Sequence, residues 1–426
     1  MPDGTATAHL IRPKMATVVQ EGYGLEALRE DALAGLTVAI VALPLSMAIA
    51  LASGVSPERG LFTTIVGGLL VSALGGSRFQ IGGPAGAFIV LVSATVARFG
   101  LEGLLVAVLL SGLMLAAAGL LRIGSLIRHI PHAVTVGFTC AIAVTIFGSQ
   151  LKDLGGLRFA GAEPGALFPK LLVLGRAAGT ISPASLAVGI GSAGLIFGLR
   201  RVRPGWPGML VAVIAASLAA ALLHLPVDTI GSRFGGIPHA LPAPRLPTFT
   251  PALLLSVLPS AASFTLLGGI ESLLSAKVAD GLTGRKHRSN MELIAQGLAN
   301  VASAVFGGIC VTGTIARTAT NIRAGAQSPV AGMLHALFVL LFMLLAAPLA
   351  SYIPLAALAG VLVVVCWNMA EKREFAHLLR NWRTAAVLLA TFGATLVKDL
   401  TFGIIAGCAL AAVFALARRA VPEEGH

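Results

Sequence analysis

The sequence predicts an all-α membrane protein of about fourteen transmembrane spans, folded as a 7+7 inverted repeat with two half-helices, each preceded by a short β-strand. Three observations predict it. The composition is 56% hydrophobic and 11% charged, with a mean hydropathy of +0.90, a balance found in polytopic membrane proteins. Apolar runs of membrane length recur from residue 32 to residue 417. In the third run of each half, glycine-rich breaks open a helical stretch: Gly82-Gly83-Pro84-Ala85-Gly86 and Thr312-Gly313-Thr314-Ile315-Ala316-Arg317-Thr318.

In chain order, the first span covers 32–54 and contains Pro44, whose ring interrupts the helical ladder and shapes one wall of any site there, or simply kinks the span. The second covers 60–76. A β-prone run, Arg78-Phe79-Gln80-Ile81, leads into the first break, and spans follow at 84–98, 101–121, 132–150, 183–199 and 207–224. The stretch 169–178, with Lys170 and Arg176, is short and reads as an interfacial helix. A Pro-rich polar linker over 225–251 divides the chain. The second half places spans at 252–276, 291–307, 314–325, 328–349, 351–369, 383–397 and 400–417. Ser289-Asn290-Met291-Glu292 has the pattern of a capping box for the ninth span, Gly308-Ile309-Cys310-Val311 is the second β-prone run, and Asp399 reads as a cap before the last span. The organisation is therefore a cytoplasmic segment 1–30, a repeat 31–224, the linker 225–251, a repeat 252–418 and a tail 419–426. Seven spans per repeat give the two repeats opposite orientations, so the broken helices meet near the midplane.

Charge sets the orientation. Of the 30 Lys and Arg residues, twenty fall in the termini and the loops after even-numbered spans, nine fall on the other side, and Arg317 lies within the membrane. Both termini are expected to be cytoplasmic, in a plasma (inner) membrane. The net charge of +12 is accounted for by these loops and by anionic lipid headgroups, without nucleic acid. The residues before Asp31 lack the apolar core of a signal peptide. Cys140, Cys310, Cys366 and Cys408 all lie in apolar runs, with no spacing that suggests a disulfide or a metal, and no cofactor is expected.

Broken helices expose N–H groups and a partial positive charge at membrane depth, where such backbone is tolerated only if protein or a watered cavity satisfies it. The N–H groups of Ala85, Gly86, Ile315 and Ala316 are candidate anion donors, and the hydroxyls of Thr312 and Thr314 either add to them or only cap. Arg317 lies one turn into the second half-helix. A mid-membrane arginine costs about 2.5–3.5 kcal/mol on insertion scales, which implies a function: charge for the anion, or an ion pair with Glu271, or contacts to carbonyls. Glu271 is the only acidic residue in its span, and a carboxyl held away from water can exchange a proton near neutral pH. It is a candidate proton-coupling group or a permanent partner of Arg317.

The residues also resemble a family. The run AGLTVAIVALPLSMAIALASGVSP, the IGGPAGA break, GGIESLLSA followed by HRSNMELIAQGLANVASAVFGG, TGTIARTATN and the final KDLTFGIIAG are similar, in order, to the SulP (sulfate permease) anion transporters. The resemblance implies a core domain of spans 1–4 and 8–11 and a gate domain of spans 5–7 and 12–14. It also implies an anion held between spans 3 and 10 with help from spans 1 and 8, and elevator-like transport. Two departures stand out. Most members carry a cytoplasmic STAS domain after the last span, whereas this chain stops at His426. Animal members surround the anion with a glutamine and two phenylalanines, and the matching positions here are Leu45, Ile49 and Ala85.

The expected activity is proton-coupled symport or exchange of a small inorganic or organic anion: sulfate, bicarbonate or a dicarboxylate. An anion channel or a sodium-coupled bicarbonate transporter on the same scaffold remains open, as does a homodimer in the lipid membrane. Nucleobase permeases share the fold but resemble a pattern with carboxylates in the eighth and tenth spans, where this chain has Arg317 in the tenth. No HExxH, GxSxG or facing aspartyl pair suggests an enzyme.

Overall fold

The computed structural model describes residues 11–124, 131–159, 167–398 and 400–419, and the described chain is built almost wholly of helices. In order they are α1 (Lys14–Glu21), α2 (Leu25–Ala52), α3 (Glu58–Phe62), a π-turn (Thr63–Gly67), α4 (Gly68–Leu74), β1 (Gly82–Gly83) and a 3-10 turn (Gly86–Phe88) that runs into α5 (Ile89–Leu120). Then come α6 (His132–Gly155), α7 (Leu167–Arg176), α8 (Pro183–Val202), α9 (Gly208–Leu222) and α10 (Ile230–Phe234). The second half holds α11 (Pro251–Thr283), α12 (Ser289–Val305), β2 (Thr312–Gly313), α13 (Ile315–Arg323), α14 (Val330–Ala350), α15 (Leu355–Met369), α16 (Lys372–Leu378), α17 (Trp382–Val397) and α18 (Leu400–Arg419).

Among the described residues, seven helices are long and apolar enough to cross a membrane: Leu25–Ala52, Gly86–Leu120, His132–Gly155, Pro183–Val202, Pro251–Thr283, Val330–Ala350 and Leu355–Leu378. Gly208–Leu222, Trp382–Val397 and Phe402–Leu416 are apolar but shorter. The predicted spans 84–98 and 101–121 lie in one long helix, bent at Gly100, where φ is 68° and ψ is −172°. Helix starts carry legible signals. Thr250 accepts from the Leu253 N–H ahead of Pro251, and Ser182 accepts from the Ser185 N–H ahead of Pro183. The interfacial stretch is helical as α7, and the linker contains α10, a turn of helix that its own capping box (Thr229 and Ser232) sets and that the sequence reading did not anticipate.

The capping box expected at Ser289–Glu292 does not form. Helix α12 begins at Ser289, its N-cap is Arg288, and no side chain caps it. Ser289 instead bonds His287, and the Glu292 carboxylate accepts from the N–H groups of Gly76 and Ser77 at 2.9 and 3.1 Å. A carboxylate offered two converging backbone donors in a buried place takes them before its own helix end. Asp399, expected as a cap, lies outside the described residues.

The helices pack closely because glycines meet backbone. A Cβ on Gly297 of α12 would lie 2.5 Å from the Gly112 carbonyl oxygen of α5, and one on Gly35 of α2 would lie 2.5 Å from the Ala331 carbonyl oxygen of α14. Helices α2, α4, α5 and α11 to α14 pack against one another, and α6, α8, α9, α15, α17 and α18 form a second set, with α2 in contact with α15 and α9 across the boundary.

The two strands pair antiparallel, Gly82 with Gly313 and Gly83 with Thr312. Each strand therefore begins one residue after its predicted β-prone run. The runs themselves spend their backbone groups on side chains: Asn321 donates to the Phe79 carbonyl, Ile81 N–H donates to Thr318 Oγ1, and Ile309 N–H donates to Thr63 Oγ1. Beyond one backbone bond, from the Thr314 N–H to the Ile81 carbonyl, the paired residues are the glycine-rich ones that follow the runs.

Candidate functional site

The crossing of β1 and β2 brings the two broken helix starts together. Ala85 is the extended residue before the 3-10 turn, at φ −117° and ψ 146°, and Thr314 is the extended residue before α13, at φ −103° and ψ 124°. Each helix start leaves its first N–H groups without intrahelical acceptors. In the second half-helix these belong to Ile315, Ala316 and Arg317, with Ile315 and Ala316 on the exposed side and Arg317 buried. Glycine at 83 and 313 leaves room for two polar side chains that lie across the ribbon. A Cβ on Gly83 would sit 2.2 Å from Arg317 Nη1, and one on Gly313 would sit 1.4 Å from Gln80 Nε2.

Arg317 reaches from the second half-helix to the first. Its Nη2 donates to Ser46 Oγ at 3.1 Å and to the Pro84 carbonyl at 3.4 Å, while Nε and Nη1 have no hydrogen-bond partner among the described residues. Ser46 Oγ in turn meets Thr64 Oγ1 at 2.7 Å, in the π-turn of the second predicted span. Glu271 lies between the two residues of α11 that touch the strand region, Gly268, whose carbonyl accepts from Thr312 Oγ1, and Ser272, which accepts from Gln80. Its Oε2 is buried without a partner, and no ion pair joins it to Arg317. Of the alternatives left open for Arg317, the structure makes the carbonyl contact and not the Glu271 pair.

The remaining predicted residues fall around this centre. Pro44, Leu45 and Ile49 are buried on α2, the helix that also supplies Ser46. Thr314 uses both polar groups on one acceptor, its N–H at 3.0 Å and its hydroxyl at 3.4 Å from the Ile81 carbonyl, so its hydroxyl holds the ribbon. The sequence reading missed what faces Gly86 from the other helix set. A Cβ there would meet Ile146 Cδ1 of α6 at 3.3 Å and Met369 Sδ of α15 at 3.8 Å. It also missed the Phe88–Phe264 pair, with ring centroids 6.0 Å apart, which packs the first half-helix on α11. Ordinary apolar residues in apolar spans carry no signal of this kind. Ser46 does, as a lone hydroxyl two residues after Pro44 in an otherwise apolar stretch.

The arrangement presents one guanidinium with spare donors, two helix starts and one unpaired carboxyl within an apolar wall. The sequence model of the sulfate permease family matches residues 28–392. A putative sulfate transporter of Bacillus subtilis, YvdB, is 42% identical over 409 residues, covering 95% of this chain and 77% of that protein. The bicarbonate transporter BicA of Picosynechococcus is 30% identical over 406 residues, covering 92% and 70%. Among solved structures, the transmembrane domain of a cyanobacterial bicarbonate transporter BicA superposes with a TM-score of 0.79 at 29% identity, covering 91% of this chain and 98% of that one. The murine Slc26a9 anion transporter in its inward-facing state superposes with a TM-score of 0.86 over 98% of this chain and 73% of that one, and its 18% identity speaks to fold alone.

Proposed function

The chain belongs to the sulfate permease family, a family of anion transporters and not of enzymes, and from that membership we propose that it is a proton-coupled transporter of a small oxyanion or carboxylate. As a helical, multi-pass membrane protein of this family it has the scaffold for the reading. The observation that carries it is the meeting of two helix starts beside Arg317, whose Nε and Nη1 keep donor capacity, with the unpartnered Glu271 carboxyl on the adjoining helix. The dipoles and the guanidinium favour an anion, and the carboxyl can hold a proton that travels with it. In this reading the fourteen spans form an inverted 7+7 repeat. The helix set that contains α2, α5 and α11 to α14 is the core that moves, and the set that contains α6 and α15 is the gate. The bend at Gly100 supports counting α5 as two spans.

Proteoliposomes carrying the purified protein test this with labelled sulfate, bicarbonate and fumarate, with and without a pH gradient. Concentrative, pH-driven uptake of at least one of them is expected, and Glu271→Gln should abolish the pH-driven accumulation while anion binding survives. Uptake driven only by a sodium gradient would replace the proton as coupling ion. Flux without trans-stimulation would replace the transporter with a channel. Unchanged pH-driven accumulation in Glu271→Gln would remove the proton-carrying role from Glu271.

A further inference from the structure

We propose that one buried face of α12, carrying Glu292, Gln296 and Asn300, is a positioning element that fixes both glycine strands and thereby the spacing of the two broken helix starts. The three residues lie at i, i+4 and i+8, so they line one side of the helix. All three are buried polar groups in a membrane protein, where unpaired polar atoms are costly. The N-terminal end of this face holds the arm that becomes β1, through the two bonds from Gly76 and Ser77 to Glu292 Oε2. A Cβ on Gly76 would lie 2.1 Å from the Arg288 carbonyl oxygen, so the arm lies directly on the helix start. The C-terminal end holds the arm that becomes β2. Asn300 Nδ2 donates to the Val311 carbonyl at 2.8 Å, and the Val311 N–H donates to Asn300 Oδ1 at 2.9 Å, so a side chain pairs with this residue as a neighbouring strand would.

Gln296 joins the two ends. Its Nε2 donates to Glu292 Oε1 at 3.1 Å, and its backbone carbonyl accepts from Asn300 Nδ2 at 2.8 Å. Ser303, one turn beyond Asn300, adds a bond to the Ile309 carbonyl at 2.7 Å. The two arms enter the ribbon from opposite directions, and the stretch of about two turns of one helix between Glu292 and Asn300 measures the distance between them. A second tie runs across the ribbon: Ser272 Oγ reaches Glu292 Oε1 at 3.5 Å and accepts from Gln80 Nε2 at 2.9 Å, and Gln80 lies over Gly313. None of these side chains contacts the candidate anion donors, so they position rather than bind.

The geometry needs the shape of Glu292 and not its charge. A glutamine there can accept both N–H groups through its carbonyl oxygen, and Gln296, whose Oε1 has no partner, can turn to receive the new amide. Glu292→Gln should therefore behave as wild type, Glu292→Met should not, and Asn300→Asp should fail because its second oxygen opposes the Val311 carbonyl.

The test measures amide hydrogen exchange by mass spectrometry on the full chain in detergent. In Glu292→Met, exchange should rise at 76–83 and also at 309–313, and in Asn300→Asp the same two segments should loosen together. Faster exchange confined to the arm that each residue touches would overturn the proposal, and so would a Glu292→Gln protein that loosens as Glu292→Met does. If Glu292→Met is not monodisperse, Asn300→Asp decides alone: exchange must rise at 76–83 as well as at 309–313, and a rise confined to 309–313 overturns the proposal. The functional consequence rests on the transport reading above. The KM for bicarbonate or sulfate uptake should rise on the order of tenfold in Glu292→Met and in Asn300→Asp, with turnover of the folded protein changing less, and stay at the wild-type value in Glu292→Gln. A wild-type protein that carries none of sulfate, bicarbonate and fumarate would refute the transport reading while the exchange result still decides the positioning role.

Discussion

Arg317 crosses from one half of the chain to the other to find its partners. The bond to Ser46 spans 271 positions in sequence, and the contact with Pro84 ends at the opposite broken helix. A guanidinium offers five donors in a fixed fork, so one nitrogen can brace the protein while the others face a ligand. Replacing it with methionine, of similar length but without charge, should leave a folded protein whose affinity for sulfate or bicarbonate falls more than tenfold, a loss above about 1.4 kcal/mol. Arg317→Lys should fall between the two, because the charge survives and the fork does not. Calorimetric or fluorescence titration of monodisperse protein measures it, and an affinity within twofold of wild type in Arg317→Met would remove Arg317 from the site. That Arg317 stands apart was legible in the sequence, because a lone cation in a membrane-depth segment is expensive. Where its fork points was not, because Ser46 and Pro84 are brought to it only by tertiary packing. Glu271 was legible for the same reason, and the missing Glu271–Arg317 pair was not, since two opposite charges in neighbouring spans read identically whether they touch or face different directions.

At the scale of elements, local patterns were reliable where the chain alone decides and unreliable where a distant segment competes. The glycine breaks named both half-helices, and Pro183 and Pro251 marked true helix starts. The Ser289–Glu292 pattern failed because the loop after α4 offers Glu292 better donors than its own helix end. The β-prone runs were displaced because Asn321, Thr318 and Thr63 claim their backbone first. Helix contacts provide a test in which sequence context is nearly constant. Gly297 faces the Gly112 carbonyl, so its added methyl group in Gly297→Ala must push α12 from α5, and a loss of about 1–3 kcal/mol is expected. Gly194 on α8 has nothing within 4 Å of an added Cβ, so Gly194→Ala should be neutral or gain up to about 1 kcal/mol from helix propensity. Thermal denaturation in detergent followed by intrinsic fluorescence compares the two, and equal melting temperatures would contradict the close α5–α12 packing.

For the molecule as a whole, polar links among the loops and helix ends fall into two groups, each joining residues that the expected span count places on one face. On one side, Arg288 Nη1 donates to the carbonyls of Arg12 and Pro13, Arg78 pairs with Glu21, Arg200 bonds Asn368, and His132 meets Glu374. Burial against these loops, with Arg288 and Arg78 nearby, pushes Lys14 down to about 8, which fits an α1 seated on the same face. On the other side, Arg59 donates to the Gly307 carbonyl, Arg233 pairs with Asp153, Arg158 with Asp228, and Glu102 accepts from Thr248. Each pair joins residues that the span count assigns to the same face. Twenty of the 30 basic residues are expected on the first face and nine on the second, and such an excess is the mark expected of a cytoplasmic face, which labelling can test. Single cysteines introduced near each terminus should therefore resist a membrane-impermeant maleimide in intact cells and react once the cells are opened, whereas a cysteine at Arg158 should react from outside. The native cysteines give little background, since Cys140, Cys310 and Cys366 are buried and Cys408 half-buried. External labelling of both termini would invert the expected orientation, whereas labelling of one terminus alone would break the even span count, and with it the proposed opposed repeats in which two helix starts face one anion.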